Sequence, residues 1–135
     1  SAVLVDAPCS GSGALRRHPD AVWRLSPGVI RVHCAEQAAI LRAAAARVEP
    51  GGRLLYVTCS LLPEENEAII EAFLEEFRDF EPGDLSAPLR RHGFGAFAPP
   101  PGAPWTTLLP TRGAGDGFFL ALLRRKGEGA AQEMK

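Results

Sequence analysis

The chain has 135 residues, of which 46% are hydrophobic and 23% are charged, and its formal net charge at pH 7 is -1. These values are typical of one globular domain with a hydrophobic core, and no stretch approaches the roughly 18 consecutive apolar residues of a membrane span. The sequence therefore predicts a soluble, cytoplasmic protein with no membrane partner. The balanced charge argues against tight RNA binding by this chain alone, because phosphate contacts need a basic surface.

The first predicted element is a buried strand that ends on chemically active side chains. The apolar run Val3–Val5 leads directly into Asp6–Gly13, with the sequence DAPCSGSG. An apolar run without alternation is typical of a parallel strand that is covered on both faces. Gly11 and Gly13 permit a tight turn after Cys9 and a close approach of the backbone to a ligand.

A helix and a second strand follow, in the order of a βαβ unit. Apolar residues recur at helical spacing from about Gly28 to Val48, and a second apolar run from about Arg53 to Thr58 ends on Cys59. Because a crossover of this kind returns the chain to a parallel strand, both strands end at the same edge of the sheet. Neighbouring strands lie about 4.8 Å apart, so we expect Cys9 and Cys59 to face one crevice.

Plainer explanations of the cysteines remain open at this point. A free cysteine is usually a small buried hydrophobe, and a disulfide is possible in principle although rare inside cells. Zinc and thiol redox chemistry are both disfavoured, because the sequence contains no Cys-x-x-Cys pair. The third cysteine, Cys34, falls in the predicted helix, away from both strand ends, and is expected to be structural. No metal site is predicted.

A second helix is predicted after Cys59. Pro63 suits its first residue, and several glutamates nearby are expected to form a solvated face. Its predicted buried stripe consists of Ile69, Ile70, Phe73, Leu74 and Phe77.

The remaining segments predict loops and a closing hairpin. Residues 80–104 are rich in proline and glycine, so no regular structure is assigned to them. Trp105–Leu109 and Gly117–Leu123 are predicted strands, joined by a turn at Gly113–Asp116. Residues 1–126 are predicted to form the folded unit, and residues 127–135 a disordered tail. Trp23 is expected to pack beneath the loop after the first strand, with stacking on RNA as the alternative.

Several of these segments resemble motifs of the RNA cytosine-C5 methyltransferases of the Sun/RsmB type. The order and spacing match from Val3 to about Arg125, and they correspond to the second half of that family's catalytic domain. The resemblance implies an α/β fold, namely the second half of a Rossmann-like methyltransferase fold whose mostly parallel sheet is closed by an antiparallel hairpin. The matching segments are Asp6–Gly13, Arg16–Asp20, Thr58–Ser60, Pro63–Glu67 and Gly115–Phe119.

The resemblance also implies distinct roles for the two thiols. Cys59 is the nucleophile that attacks C6 of the target cytosine, which makes C5 able to accept a methyl group from S-adenosylmethionine. Cys9 helps to release the product, as a base that removes the C5 proton directly or through water. Asp6 hydrogen-bonds the cytosine and stabilises the charge that builds up on it, or alternatively only caps the turn after the strand.

Further residues are implied in binding and support. Asp6 and Pro8 are implied to contact the cofactor, S-adenosylmethionine. The basic residues Arg16, Arg17 and His18 are implied to contact the RNA, which is expected to be ribosomal; solvation or pairing with acidic neighbours is the alternative. The Pro63–Asn66 turn is implied to buttress the loop that carries Cys59, with Asn66 acting through its amide.

The chain is expected to be one piece of a longer polypeptide. The glycine-rich turn and the acid that form most of the family's cofactor site would lie upstream of Ser1, in an N-terminal half that is also the expected partner of this chain. The chain alone is therefore predicted to be inactive. A non-catalytic fragment that serves only as an RNA-binding or assembly surface is the competing hypothesis.

Overall fold

Residues 2–14, 19–109 and 116–127 are described by a computed structural model, and within them five strands form one mixed sheet. Within this part of the chain, no helix is both long and apolar enough to span a bilayer. The strands are β1 (Ala2–Asp6), β2 (Arg53–Thr58), β3 (Phe80–Pro82), β4 (Trp105–Leu108) and β5 (Phe118–Arg125). The helices are α1 (Pro27–Ala45), α2 (Glu67–Glu76) and α3 (Ser86–Arg91).

The predicted βαβ unit is present. β1 and β2 are parallel neighbours, in register from Ala2 opposite Arg53 to Asp6 opposite Val57. α1 connects them, and Ser26 caps its start, since the Ser26 side chain accepts a hydrogen bond from the backbone N–H of Val29. The two strands therefore end side by side, as the sequence predicted.

The prediction of a mostly parallel sheet is wrong, and the reason is the position of one strand. β5 pairs antiparallel with β2 on one side and with β3 and β4 on the other. The other four strands all run in one direction. β5 lies between β2 on one side and β3 and β4 on the other and runs in the opposite direction, so every pairing that it makes is antiparallel. Three of the four pairings described are therefore antiparallel. The antiparallel partnership of β4 with β5 confirms the predicted hairpin strands, whereas the turn residues 110–115 lie outside the described residues.

The core lies between the sheet and the pair of helices α1 and α2. Val5, Tyr56 and Ala121 are register partners across β1, β2 and β5, and all three are buried. The helices supply the opposing apolar side chains, and the predicted stripe of α2 packs on this cluster: Ile69, Ile70 and Phe73 are buried, and Leu74 and Phe77 are partly buried.

The opposite face of the sheet is only partly covered. Residues 85–94, which include α3, lie over it and leave an apolar groove of about 380 Å³ lined by Leu55, Leu89 and Leu122, among others. Leu4 on β1 is 66% exposed, so the expectation that β1 is covered on both faces is not met within the described residues.

Residues 80–104 contain regular structure that the sequence did not predict. β3 has only three residues, which is too short a run for periodicity to reveal, and it is defined by its pairing with β5. The Asp84 carboxylate accepts hydrogen bonds from the backbone N–H groups of Ser86 and Ala87 and so supports the start of α3. Pro88 lies within the first turn of α3, where proline is tolerated. The predicted tail beyond Gly127 lies outside the described residues.

Candidate active site

Two thiols meet at the carboxyl ends of β1 and β2. Cys9 lies three residues beyond the end of β1, and Cys59 follows β2 directly. Their sulfur atoms are 3.3 Å apart, both side chains are partly buried, and neither is in a disulfide. The expectation that the two thiols meet at one edge of the sheet is therefore confirmed.

The surroundings of Cys9 favour its neutral form. The pKa of the Cys9 thiol is raised well above its ordinary value. Burial is the largest cause, and the hydrogen bond with the sulfur of Cys59 is the second. At neutral pH Cys9 therefore keeps its proton, and either sulfur can be the donor in the contact between the two.

Backbone hydrogen bonds join three turns that are distant from one another in the sequence. The N–H of Gly13 donates to the carbonyl of Cys59 at 2.7 Å, and the N–H of Gly117 donates to the carbonyl of Gly13 at 2.8 Å. A Cβ at Gly13 would lie 2.3 Å from the carbonyl oxygen of Gly117 and 2.7 Å from that of Cys59, so only glycine fits there. Gly11 has a φ of +74°, as the predicted tight turn requires. The close approach at Gly13 is thus to backbone within the chain.

The turn after Cys59 is supported by Asn66, as the sequence predicted. The Asn66 amide nitrogen donates to the carbonyl of Ser60 at 2.8 Å, and the Asn66 oxygen accepts from the Thr58 hydroxyl at 2.6 Å. All three residues are buried. Both ends of the Cys59 turn are therefore held by one side chain.

Glu65 is the residue of the site that the sequence did not reveal. Its carboxylate is fully buried and accepts hydrogen bonds from Ser10, at 2.8 Å from the backbone N–H and 2.7 Å from the hydroxyl. It also accepts from the Ser60 hydroxyl. The sequence analysis placed several nearby glutamates on a solvated face and gave Glu65 no role of its own within the Pro63–Asn66 turn, although a serine follows each of the two cysteines. Those two hydroxyls, which need partners at a buried edge, were the available signal.

Gln37 on α1 adds a second link to the turn that carries Cys9. Its amide nitrogen donates to the carbonyl of Pro8 at 2.9 Å and contacts the Glu65 carboxylate at 3.3 Å. Gln37 is fully buried, and its amide oxygen has no hydrogen-bond partner within the described part of the chain. One helix therefore contacts both the turn and the carboxylate that holds it.

The predicted ligand-binding residues of the first strand are accessible. Asp6 and Pro8 are both exposed at the carboxyl end of β1. Within residues 2–14, 19–109 and 116–127 the Asp6 carboxylate has no hydrogen-bond partner, so nothing there supports the alternative that it only caps the turn. Its oxygens are free to accept from a ligand.

Other predicted residues are placed differently or lie outside the described ranges. Trp23 is 88% exposed, so the expectation that it packs beneath the loop is wrong. The Cys34 thiol donates to the carbonyl of Glu64 at 3.3 Å and packs against the core, in line with its predicted structural role. Arg16, Arg17 and His18 fall outside the described residues. In the described ranges no group of three or more metal-ligating side chains occurs.

Comparison with known proteins identifies relatives over most of the chain. The model of the family described as 16S rRNA methyltransferase RsmB/F matches residues 1–124. Ribosomal RNA small subunit methyltransferase B of Salmonella arizonae is 43% identical over 124 residues, which cover 92% of this chain and 26% of that protein. The chain thus spans about a quarter of the length of the curated relatives that it matches.

Solved structures share the fold. A methyltransferase homologue from Pyrococcus horikoshii is 33% identical, with a TM-score of 0.65 over 92% of this chain and 38% of that one. NSun6 from Pyrococcus horikoshii with SFG is 27% identical, with a TM-score of 0.69 over 90% of this chain and 29% of that one.

Proposed function

Because the chain belongs to the 16S rRNA methyltransferase RsmB/F family, we propose that it carries the two catalytic thiols of an RNA cytosine-C5 methyltransferase. The activity is that of a longer protein, of which this chain supplies one part of the catalytic domain. The observation that carries the proposal is the 3.3 Å separation of the Cys9 and Cys59 sulfurs at the ends of two parallel strands.

Cys59 is the nucleophile. Its thiolate adds to C6 of the target cytosine, forming a C–S bond and making C5 nucleophilic enough to accept a methyl group. The state of Cys9 supports this division of roles, since the raised pKa of Cys9 leaves that thiol protonated. Asp6, which is exposed and unpartnered among the described residues, accepts a hydrogen bond from the cytosine amine, and a proton held between its carboxyl group and ring N3 neutralises the charge that addition builds up.

Cys9 acts in product release. After methylation C5 still carries its proton, and Cys9 lies beside the adduct; once the proton of the Cys9 thiol has passed to water, the resulting thiolate takes the C5 proton, directly or through a water molecule. Loss of that proton restores the C5–C6 double bond as the C6–S bond breaks, which returns the Cys59 thiolate. A sulfur 3.3 Å from the attacking sulfur is close enough for both to act on one pyrimidine ring.

The cofactor is S-adenosylmethionine, which supplies a sulfonium-bound methyl group. Asp6 and Pro8 would contact it. Both are exposed at the carboxyl end of β1, where the Asp6 carboxylate can accept hydrogen bonds from N–H groups of such a ligand. One structural relative was determined with SFG, an S-adenosylmethionine analogue. The remainder of the cofactor site lies in the N-terminal part of the longer protein.

The substrate is ribosomal RNA, as the names of the relatives state for those proteins. Arg16, Arg17 and His18, which directly follow the glycine-rich turn in the sequence, contact its phosphates. The target cytosine must leave its helix or come from a single strand in order to reach two thiols at a sheet edge.

Substitution of each cysteine in the full-length protein tests the proposal. Cys59→Ala should abolish both methyl transfer and the covalent adduct with RNA that contains 5-azacytosine. Cys9→Ala should accumulate a denaturation-resistant adduct with unmodified RNA, because release fails after attack has succeeded. The measurements are methyl incorporation and denaturing gel electrophoresis.

Cys34→Ala is the matched control, since this third thiol belongs to α1 and should leave both measurements unchanged. Methylation that survives Cys59→Ala would show that the nucleophile is assigned wrongly. Salt-sensitive RNA binding with no adduct in any variant would favour a non-catalytic, RNA-binding role instead.

A further inference from the structure

We propose that Glu65 is a positioning residue that holds the Cys9 turn against the Cys59 turn, so that its loss slows product release more than attack. The inference rests on the proposed function for the identity of the two steps. Its physical basis is the convergence of hydrogen-bond donors from both turns on one buried carboxylate.

The carboxylate joins two segments that are distant in the sequence. Ser10, next to Cys9, donates twice, and Ser60, next to Cys59, donates once. A buried charge of this kind is tolerated only where several donors satisfy it, and each of these bonds is charge-assisted. Each thiol is therefore one residue away from a direct bond to Glu65.

The two turns depend on Glu65 to different degrees. The Cys59 turn has other supports, since Asn66 bonds both Thr58 and the carbonyl of Ser60. The bond from the N–H of Gly13 to the carbonyl of Cys59 joins the two turns and supports both.

The Cys9 turn has fewer independent restraints. Between Pro8 and Ser10, it is held by the bonds of Ser10 to Glu65, the bond of Pro8 to Gln37, and the contacts of the Cys9 sulfur with the sulfur and backbone of Cys59. On either side of this segment, Ala7, Ser12 and Gly13 are bonded to the end of β2 and to the Cys59 turn. The Gln37 amide that holds Pro8 is itself bonded to Glu65. Loss of the carboxylate therefore removes both Ser10 bonds and one bond of Gln37 next to Cys9, while Asn66 still holds the Cys59 turn.

This asymmetry gives a specific kinetic consequence. Attack needs Cys59 alone, whereas release also needs the Cys9 sulfur at the C5 proton. A misplacement of about 1 Å can slow a step by about 100-fold. Loss of Glu65 should therefore resemble loss of Cys9, with an adduct that forms and persists.

The variant Glu65→Gln in the full-length protein tests this directly. It keeps the size of the side chain, but its amide nitrogen replaces one carboxylate oxygen and cannot accept from the serine hydroxyls. We expect adduct formation in a single turnover at close to the wild-type rate, and release that is about 10- to 100-fold slower. Glu64→Gln is the matched control, because the Glu64 side chain is exposed, and should leave both rates unchanged.

A purely structural role would give a different result. If Glu65 only stabilised the fold, Glu65→Gln would reduce attack and release by the same factor, and that outcome would overturn the proposal. Release at the wild-type rate would overturn it as well. If Glu65→Gln does not fold, Ser10→Ala carries the test: it removes one donor, and it should slow release selectively, whereas unchanged release would contradict the proposal.

A second measurement separates this inference from the proposed function. Diamide, a thiol oxidant, should convert Cys9 and Cys59 of the wild type into a disulfide quickly, because their sulfurs are held close together. In Glu65→Gln we expect that reaction to slow by about tenfold. If disulfide formation is slower in Glu65→Gln but the wild type forms no Cys59-dependent RNA adduct, the proposed function is refuted and the positioning role is kept. If the wild type forms the adduct but Glu65→Gln shows unchanged rates of disulfide formation and product release, only the positioning role is refuted.

Discussion

The different roles that we propose for Cys9 and Cys59 depend on the surroundings of each thiol. Cys9 lies in a turn whose burial and sulfur contact favour the protonated form. Next to each cysteine a serine points to the same carboxylate, that of Glu65. The two thiols therefore lie next to a pair of serines that share one buried carboxylate.

The raised pKa of Cys9 predicts slow alkylation of this residue. Iodoacetamide reacts with the thiolate, so Cys9 in the full-length protein should react more slowly at pH 8 than a free thiol, and its rate should keep rising beyond pH 9 by about tenfold per pH unit. Peptide mapping by mass spectrometry gives the rate at this site. Cys59→Ala removes the second cause of the shift and should speed the reaction at pH 8. A plateau below pH 8 would contradict the prediction.

At the level of elements, the site is made where three turns meet. The turn after β1, the turn after β2 and the residues before β5 are joined through the backbone of Gly13 and Gly117. β5 lies beside β2, so the chain reaches this edge a third time, although it runs in the opposite direction. The position of β5 is thus as important to the site as the parallel pair itself.

The contact at Gly13 predicts the effect of a single methyl group. Gly13→Ala would place its Cβ against two backbone carbonyls that cannot move aside as flexible side chains do, and should destabilise the full-length protein by about 1–3 kcal/mol. Urea unfolding followed by circular dichroism measures this change. Gly28→Ala, in α1 with no atom nearer than 3.9 Å to the added Cβ, should be neutral or slightly stabilising. Equal stability of Gly13→Ala and the wild type would show that the backbone around Gly13 can shift at little cost in free energy.

For the molecule as a whole, the chain carries the thiol edge and about a quarter of the length of its curated relatives. Its sheet has one well-covered face, packed on α1 and α2, and one face with an apolar groove. The chemistry proposed for the two thiols also requires a bound methyl donor, for which this chain offers Asp6 and Pro8.

The division of the site predicts that the 135-residue chain is inactive by itself. We expect no measurable binding of S-adenosylmethionine by calorimetry and no transfer of labelled methyl groups to RNA, because two residues at one strand end cannot enclose the cofactor. The full-length protein is the positive control and should do both. Turnover by the 135-residue chain would contradict this prediction and would place the whole cofactor site within it.

The order of strand, helix and strand, the placement of both thiols at one edge and the support of Cys59 by Asn66 could all be predicted from the amino-acid sequence. Each depends on a local pattern: an apolar run, a helical repeat, a glycine turn or a short motif whose residues are close along the chain.

Other features depended on contacts between distant segments. The insertion of β5 between β2 and β3, the short β3 itself, and the exposure of Trp23 are decided by what each segment packs against. Glu65 is the clearest case, since nothing in its own neighbourhood distinguishes it from Glu64, yet one is buried and the other exposed. A buried carboxylate needs donors, and those donors come from Ser10, 55 residues away, and Ser60 only after the sheet has brought the two turns together.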